Sequence, residues 1–223
     1  MELTRSETIE GMLAEYAGFA DLVEALTDAE WDAATRCEGW QVRDVAGHVI
    51  GLCEDVAAGV PGSRDSAQEA ASVRGDAPPV AATRLRTAVE QLRPLAAVLD
   101  DDAAWAGPSG VPDLTMGEGI LTLWYDTFVH ADDIHAALGR PPLDGAGRRA
   151  AIAYLAAELA SRSWGPAQLV FTDDGIGSVT IGEADESQPC RYLDSRQFVL
   201  AATGRLDASS VGLDDDVNIY APT

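Results

Sequence analysis

Apolar residues recur at helical spacing through the first two thirds of the chain. Ile9, Leu13, Tyr16, Ala20, Val23 and Leu26 lie three or four positions apart, which marks one buried face of a helix. Thr4 followed by Glu7 forms a capping-box pattern just ahead of them. After a break across TDAEWDAATRCEGW, a second helix is predicted from about Gln41 to Ala58, with Val42, Val45, Val49, Leu52 and Val56 as its stripe. Residues 59–79 are rich in Gly, Pro, Ser and charge and end in Pro78-Pro79; they predict a long exposed connection. A third helix follows over about Val80–Leu99 and stops at the acidic run Asp100–Asp102. The loop AGPSGVPDL leads to a second capping box, Thr115 with Glu118. The fourth helix then runs to about Leu138, with Ile120, Leu123, Thr127, Ala131, Ile134 and Leu138 on one face. Gly139 and Pro141-Pro142 end it.

Four helices of about 20 residues joined by one long connection predict a four-helix bundle over residues 1–142. The pattern changes in residues 143–223. A helix is expected over 146–163. QLVFT and SVTIG around Asp173-Asp174-Gly175 read as a β-hairpin. CRYLD is expected to add a third strand, 195–204 a helix and VNIYA a short last strand. The fold class is therefore mainly α, a bundle with a small C-terminal α+β domain.

Composition sharpens this picture. The 223 residues are 47% hydrophobic, enough for a packed core, and no apolar run is long enough to span a bilayer. The first residues lack the basic and then apolar pattern of a secretory signal. The formal net charge is −22, from 37 acidic and 15 basic residues, every basic one an arginine. That charge argues against nucleic acid and anionic membrane as partners. Cys37, Cys53 and Cys190 form no disulfide framework and read as reduced thiols of a cytoplasmic protein. Cys53 is expected in the core, and Cys37 reads as structural.

Three histidines carry the candidate chemistry. His48 borders the apolar stripe of the second helix, three residues after Val45 and four before Leu52. Asp126 and His130 stand one turn apart on the fourth helix, on its inner side between Leu123 and Thr127. Two readings are open on spacing alone. Three N/O ligands with a fourth position free describe a catalytic divalent-metal site; hydrogen-bonded core histidines with an intrahelical ion pair are the commoner origin of such spacing. Asp133 shares the face of His130 and is a candidate acceptor for its second ring N–H, as is Asp44 for His48. His135, about 140° further round the helix than His130, is expected to be exposed.

Two segments resemble a known family. LTDAEWDAATRCEGWQVRDVAGHV (26–49) is similar to the N-terminal signature of the mycothiol-dependent maleylpyruvate isomerase family, through Leu26-Thr27-Asp28, Trp31, Cys37-x-Gly39-Trp40, Val42-Arg43-Asp44-Val45 and His48. DTFVHADDIHAALGRP (126–141) resembles its carboxylate-x-x-x-His segment. The likeness covers about 1–142 well; the tail is looser, with Thr203-Gly204-Arg205 near its end. It implies a DinB-like four-helix bundle holding a divalent metal, usually zinc, on His48, Asp126 and His130. The family has glutamate where this chain has Asp126, one methylene shorter, so the site must close up or the ligand set must change.

The resemblance also implies a reaction: cis–trans isomerisation of a maleylpyruvate-like unsaturated acid, assisted by the thiol mycothiol as co-substrate. Arg84 and Arg205 are the candidate catalytic cations for such a dianion. The same scaffold admits two alternatives. One is a mycothiol S-transferase acting on an electrophilic small molecule in detoxification or natural-product biosynthesis. The other is a metal-binding protein without catalysis.

Overall fold

The protein is described from a computed structural model that covers residues 2–173, 175–183 and 189–221. Four long helices form as the hydrophobic pattern dictates: α1 (Arg5–Glu24), α2 (Val42–Ala57), α3 (Pro78–Val98) and α4 (Met116–Ala137). Both capping boxes are made. Thr4 N donates to Glu7 Oε2 at 2.8 Å and Thr115 N to Glu118 Oε2 at 2.8 Å, satisfying N–H groups that have no partner within the helix. α3 starts on the two prolines themselves, because a first-turn residue has no helical N–H partner to lose. α4 ends on Leu138, and Gly139 takes a left-handed φ of 62° that a side chain would oppose.

The helices pack in a ring, α1 against α3 and α4, and α2 against the same two. That is a four-helix bundle. Tyr16, Phe19, Ile50, Leu85, Tyr125 and Ile134 are among the side chains buried inside it.

The connection between α2 and α3 departs from expectation. It contains a short helix, Ser66–Ala71, packed on α2, with Glu69, Ala70 and Val73 buried. Arg64 anchors its start: Nη2 donates to Asp55 Oδ1 and to Gly51 O, both at 2.6 Å. Sequence patterning reads such a stretch as exposed because its apolar content is too short to show a period.

Contacts divide the chain into two compact units, Thr4–Gly147 and, with Met1–Leu3, Arg148–Thr223. In the second, α5 (Ala146–Ser161) is followed by β1 (Ala167–Phe171), β2 (Ser178–Ile181), β3 (Cys190–Leu193) and α6 (Ser195–Ala202). The sheet order is β2-β1-β3. β1 and β2 are antiparallel, with Leu169 opposite Val179; β1 and β3 are parallel, with Val170 opposite Tyr192. The hairpin turn expected at Asp173-Asp174-Gly175 includes Asp174, which lies outside the described residues. Leu169, Ile181 and Phe198 are buried, as are Ile152, Leu155 and Leu159.

The final strand expected at VNIYA does not form. Asp215–Val217 make a 3-10 turn, and Ile219 N donates to Ala202 O at 3.0 Å. Val217 and Ile219 are buried, so their apolar character reflects burial and not a sheet. Among the described residues no helix is long and apolar enough to cross a membrane. All three cysteines are free.

Candidate metal centre

His48 projects from the middle of α2, and Asp126 and His130 from the middle of α4, where these helices face each other. The side chains of all three are largely buried, His48 and His130 each 12% exposed. Asp126 meets one histidine with each oxygen. Oδ2 lies 3.4 Å from His48 Nε2, and Oδ1 lies 3.5 Å from His130 Nε2. The two imidazoles stand edge to face, at 83° with centroids 5.0 Å apart. One ligand atom from each residue falls within 4.8 Å of the others, a span that a single ion can bridge.

The other ring nitrogens are also held. His48 Nδ1 donates to Glu69 Oε2 at 2.7 Å, and His130 Nδ1 to Asp133 Oδ2 at 2.9 Å. With Nδ1 donating to a carboxylate, each Nε2 faces Asp126 and is the atom that would bind a metal once it has given up its proton. Asp133 therefore takes the place expected for it. Asp44 does not: its Oδ2 accepts the Gln41 N–H at 3.0 Å as part of the α2 cap, so it faces the helix end. Glu69 takes the role instead.

The loop before α2 closes one side. Gly39 adopts φ 77°, and Trp40 N donates back to Cys37 O at 3.0 Å. The turn sets the Trp40 ring against both histidines, with centroids 5.5 Å from His48 and 6.4 Å from His130. The same loop sends Arg36 to the α4 carboxylates, Nε to Asp133 Oδ1 at 2.5 Å and Nη2 to Asp132 Oδ2 at 2.8 Å. Cys37 Sγ donates to Asp133 Oδ2 at 3.1 Å.

The electrostatics favour a cation between the two helices. Burial pulls the His48 imidazole down, but the carboxylates of Asp126 and Glu69 outweigh it and raise it to about 10. Two imidazoles and a carboxylate, backed by two buried carboxylates, are a donor set suited to a divalent metal of intermediate softness such as zinc. The residues fit such an ion. Cys37, His130 and Asp133 form a second group of possible ligands. There the guanidinium of Arg36 lies on the far oxygen of Asp133 and would repel a metal, so the first group is the better cation site.

The remaining candidates make other contacts. Arg84 is committed to a structural network: Nε to Glu54 Oε1 at 2.9 Å, Nη1 to Asp76 Oδ2 at 2.7 Å and to Ser72 O at 2.8 Å. None of its partners belongs to the trio. Arg205 lies in the second unit, where Nη1 donates to Thr203 O at 3.2 Å. His135 is half-buried, not exposed, because Nδ1 reaches Pro141 O at 2.8 Å. Cys53 is buried as expected, and burial pushes its thiol up to about 12, which makes it inert. Sequence reasoning missed Glu69, Trp40 and the pairing of Arg36. The glycines flanking His48, at 47 and 51, were the one legible hint that another segment approaches there.

Comparison with known proteins agrees with this architecture. The family model described as the mycothiol maleylpyruvate isomerase N-terminal domain matches residues 12–135. No curated protein matches the sequence significantly. The crystal structure of the mycothiol-dependent maleylpyruvate isomerase aligns over 96% of this chain and 96% of that chain, at 16% identity and a TM-score of 0.63. The structure of a mutant of that isomerase aligns over 96% of both chains at 15% identity and 0.61. At this identity the likeness is one of fold.

Proposed function

Given that the chain belongs, through residues 12–135, to the mycothiol maleylpyruvate isomerase N-terminal domain family, we propose that it is a metal-dependent enzyme that uses a small thiol to isomerise a maleylpyruvate-like unsaturated acid. The observation that carries this reading is the meeting of His48 Nε2, His130 Nε2 and both oxygens of Asp126 in one buried place, with both outer ring nitrogens anchored.

In this reading His48, Asp126 and His130 hold a divalent metal, with zinc the best match to two imidazoles and a carboxylate. When bound, the metal supplies a lowered pKa to a thiol and a charge that polarises a substrate oxygen. The chain's own residues position these parts. Asp126 joins the two helices. Glu69 and Asp133 hold the imidazoles in one tautomer. Trp40 covers both rings and limits water. Mycothiol is the proposed co-substrate. Its thiolate adds to the electron-poor double bond, forming a C–S bond. Rotation about the resulting single bond and loss of the same thiolate restore the alkene in the trans form, with no net change in the thiol. A reaction of this type suits the reducing cytoplasm, where three free cysteines are stable.

Asp126 favours a second reading. A carboxylate one methylene shorter than the resemblance implies changes the reach of the ligand set, and the same scaffold admits transfer of the thiol to an electrophile. The two separate in one assay with zinc-loaded protein and mycothiol. Conversion of maleylpyruvate to its trans isomer without loss of thiol supports the first. Thiol consumption with a general electrophile, and unchanged maleylpyruvate, supports the second. If neither substrate is altered and mycothiol does not bind, the protein is a non-catalytic metal binder.

A further inference from the structure

We propose that Glu69, contributed by the connection between α2 and α3, is the positioning residue that sets His48 for the metal; this rests on the metal reading above. Its side chain is 5% exposed, and Oε2 accepts from His48 Nδ1 at 2.7 Å. Among the described residues His48 is its only side-chain partner. A carboxylate taken out of water into a packed place is costly unless it is matched by a partner. A helix that served only to cover α2 would be better served there by an apolar side chain. Glu69 is therefore explained by what it does to His48.

The backbone of α2 is shaped to admit it. Gly47 and Gly51 flank His48 on the surface facing the short helix. A side chain at Gly47 would collide with the carbonyl oxygen of Ala70, and one at Gly51 would come within 2.9 Å of Glu69 Cβ. Each glycine is unfavourable relative to alanine inside a helix, and both stand within one turn of the same histidine. Their carbonyls are used as well: Ser72 Oγ donates to Gly47 O at 3.4 Å and Arg64 Nη2 to Gly51 O at 2.6 Å. The short helix has its own capping box, with Gln68 N on Asp65 Oδ1 at 2.8 Å and Asp65 N on Gln68 Oε1 at 2.9 Å. Glu69 is thus presented from a fixed element, close against bare backbone.

The two histidines are held unequally. Asp133 shares its charge with Arg36, whereas Glu69 gives its charge to His48 alone among the described residues. His48 becomes the more strongly polarised donor, and its ring cannot turn without breaking the Glu69 contact.

The test is zinc affinity of the full chain, by competition with a chromophoric chelator, for wild type, Glu69→Gln and Glu69→Ala. Thermal melting of the metal-free forms and histidine 15N spectra of the zinc-loaded forms accompany it. Removing a carboxylate behind a ligating histidine costs about 10- to 100-fold in affinity. E69A is expected in that range. E69Q keeps an acceptor but not the charge, and is expected to lose at least about threefold. The His48 ring signals should move while those of His130 stay. Should E69A not fold, E69Q, of the same shape, decides. Unchanged zinc affinity and His48 signals in E69Q would overturn the role while leaving the metal reading intact. A lower melting temperature with unchanged zinc affinity would make Glu69 merely structural and also overturn it. Wild type that binds no zinc would overturn the metal reading itself, and the role with it.

Discussion

His48 Nε2 faces Asp126 Oδ2 at 3.4 Å across the interior of the bundle, joining α2 to α4 at the centre of the candidate site. If the pair exists to hold a cation, an acceptor of the same size without charge should fail. Asp126→Asn is expected to lose at least about tenfold in zinc affinity, no less than the loss of a group behind a ligand, whereas Asp126→Glu restores the longer carboxylate and should retain metal. Isothermal titration with zinc of both variants checks this. Equal affinity for Asn and Asp at this position would remove Asp126 from the ligand set.

Arg36 gives a stability prediction. Asp133 is 0% exposed and depends on the guanidinium of Arg36 at 2.5 Å. Arg36→Met leaves that carboxylate without its cation. Loss of one partner of a buried pair costs about 3–5 kcal/mol; because Arg36 is partly exposed, about 2 kcal/mol is expected here. Urea unfolding of the two proteins measures it, and a change within about 0.5 kcal/mol, the range of ordinary surface substitutions, would show that Asp133 is held by other means.

Glu15 predicts a pH dependence. Its Oε2 accepts from Trp124 Nε1 at 3.2 Å. Burial raises the carboxyl from 4.5 to about 7, only partly offset by that hydrogen bond. Between those pH values the folded chain keeps a proton that the unfolded chain has released. Stability from this group is therefore fully present below about 4.5, falls as pH rises toward about 7, and is level beyond. The fall is about 3 kcal/mol by the pKa difference. Glu15→Gln should remove this slope and be the more stable protein at about pH 8. Unfolding curves across that range decide it: identical pH profiles for the two proteins would contradict the assignment.

Two glycines in helices should respond in opposite directions. A Cβ at Gly47 collides with the backbone of Ala70, whereas a Cβ at Gly18 meets nothing within 4 Å. Gly47→Ala is expected to destabilise by about 1–3 kcal/mol through overpacking. Gly18→Ala should stabilise by about 0.5–1 kcal/mol through helix propensity alone. Thermal melts of both variants test whether the short helix bearing Glu69 really lies against α2, and a stabilised Gly47→Ala would deny it.

These predictions fall unevenly on what the sequence alone discloses. The helices were legible because Thr4 with Glu7, and Thr115 with Glu118, announce their starts, and because the apolar stripes keep one period. The trio was legible in part: Asp126 and His130 share a helix face by spacing, but no local pattern says which face of α2 meets them. Asp133 followed from the same periodicity. Glu69 could not, since its contact with His48 spans 21 residues and it lies in a stretch too short to show a stripe. Asp44 misled because a carboxylate near a helix start serves the cap equally well. The pairing of Arg84 was not legible, because its partners Glu54 and Asp76 come from segments distant or unpatterned in sequence. VNIYA misled because β-branched residues buried by a 3-10 turn resemble those of a strand.

The most direct measurement is the metal content of the full chain, by elemental analysis after purification and zinc loading, for wild type, His48→Ala and Asp126→Ala. The account predicts one tightly held divalent ion per wild-type chain and its loss in both variants, with most of the helical circular-dichroism signal retained. Metal-free wild type after loading, or a full complement in either variant, would contradict it.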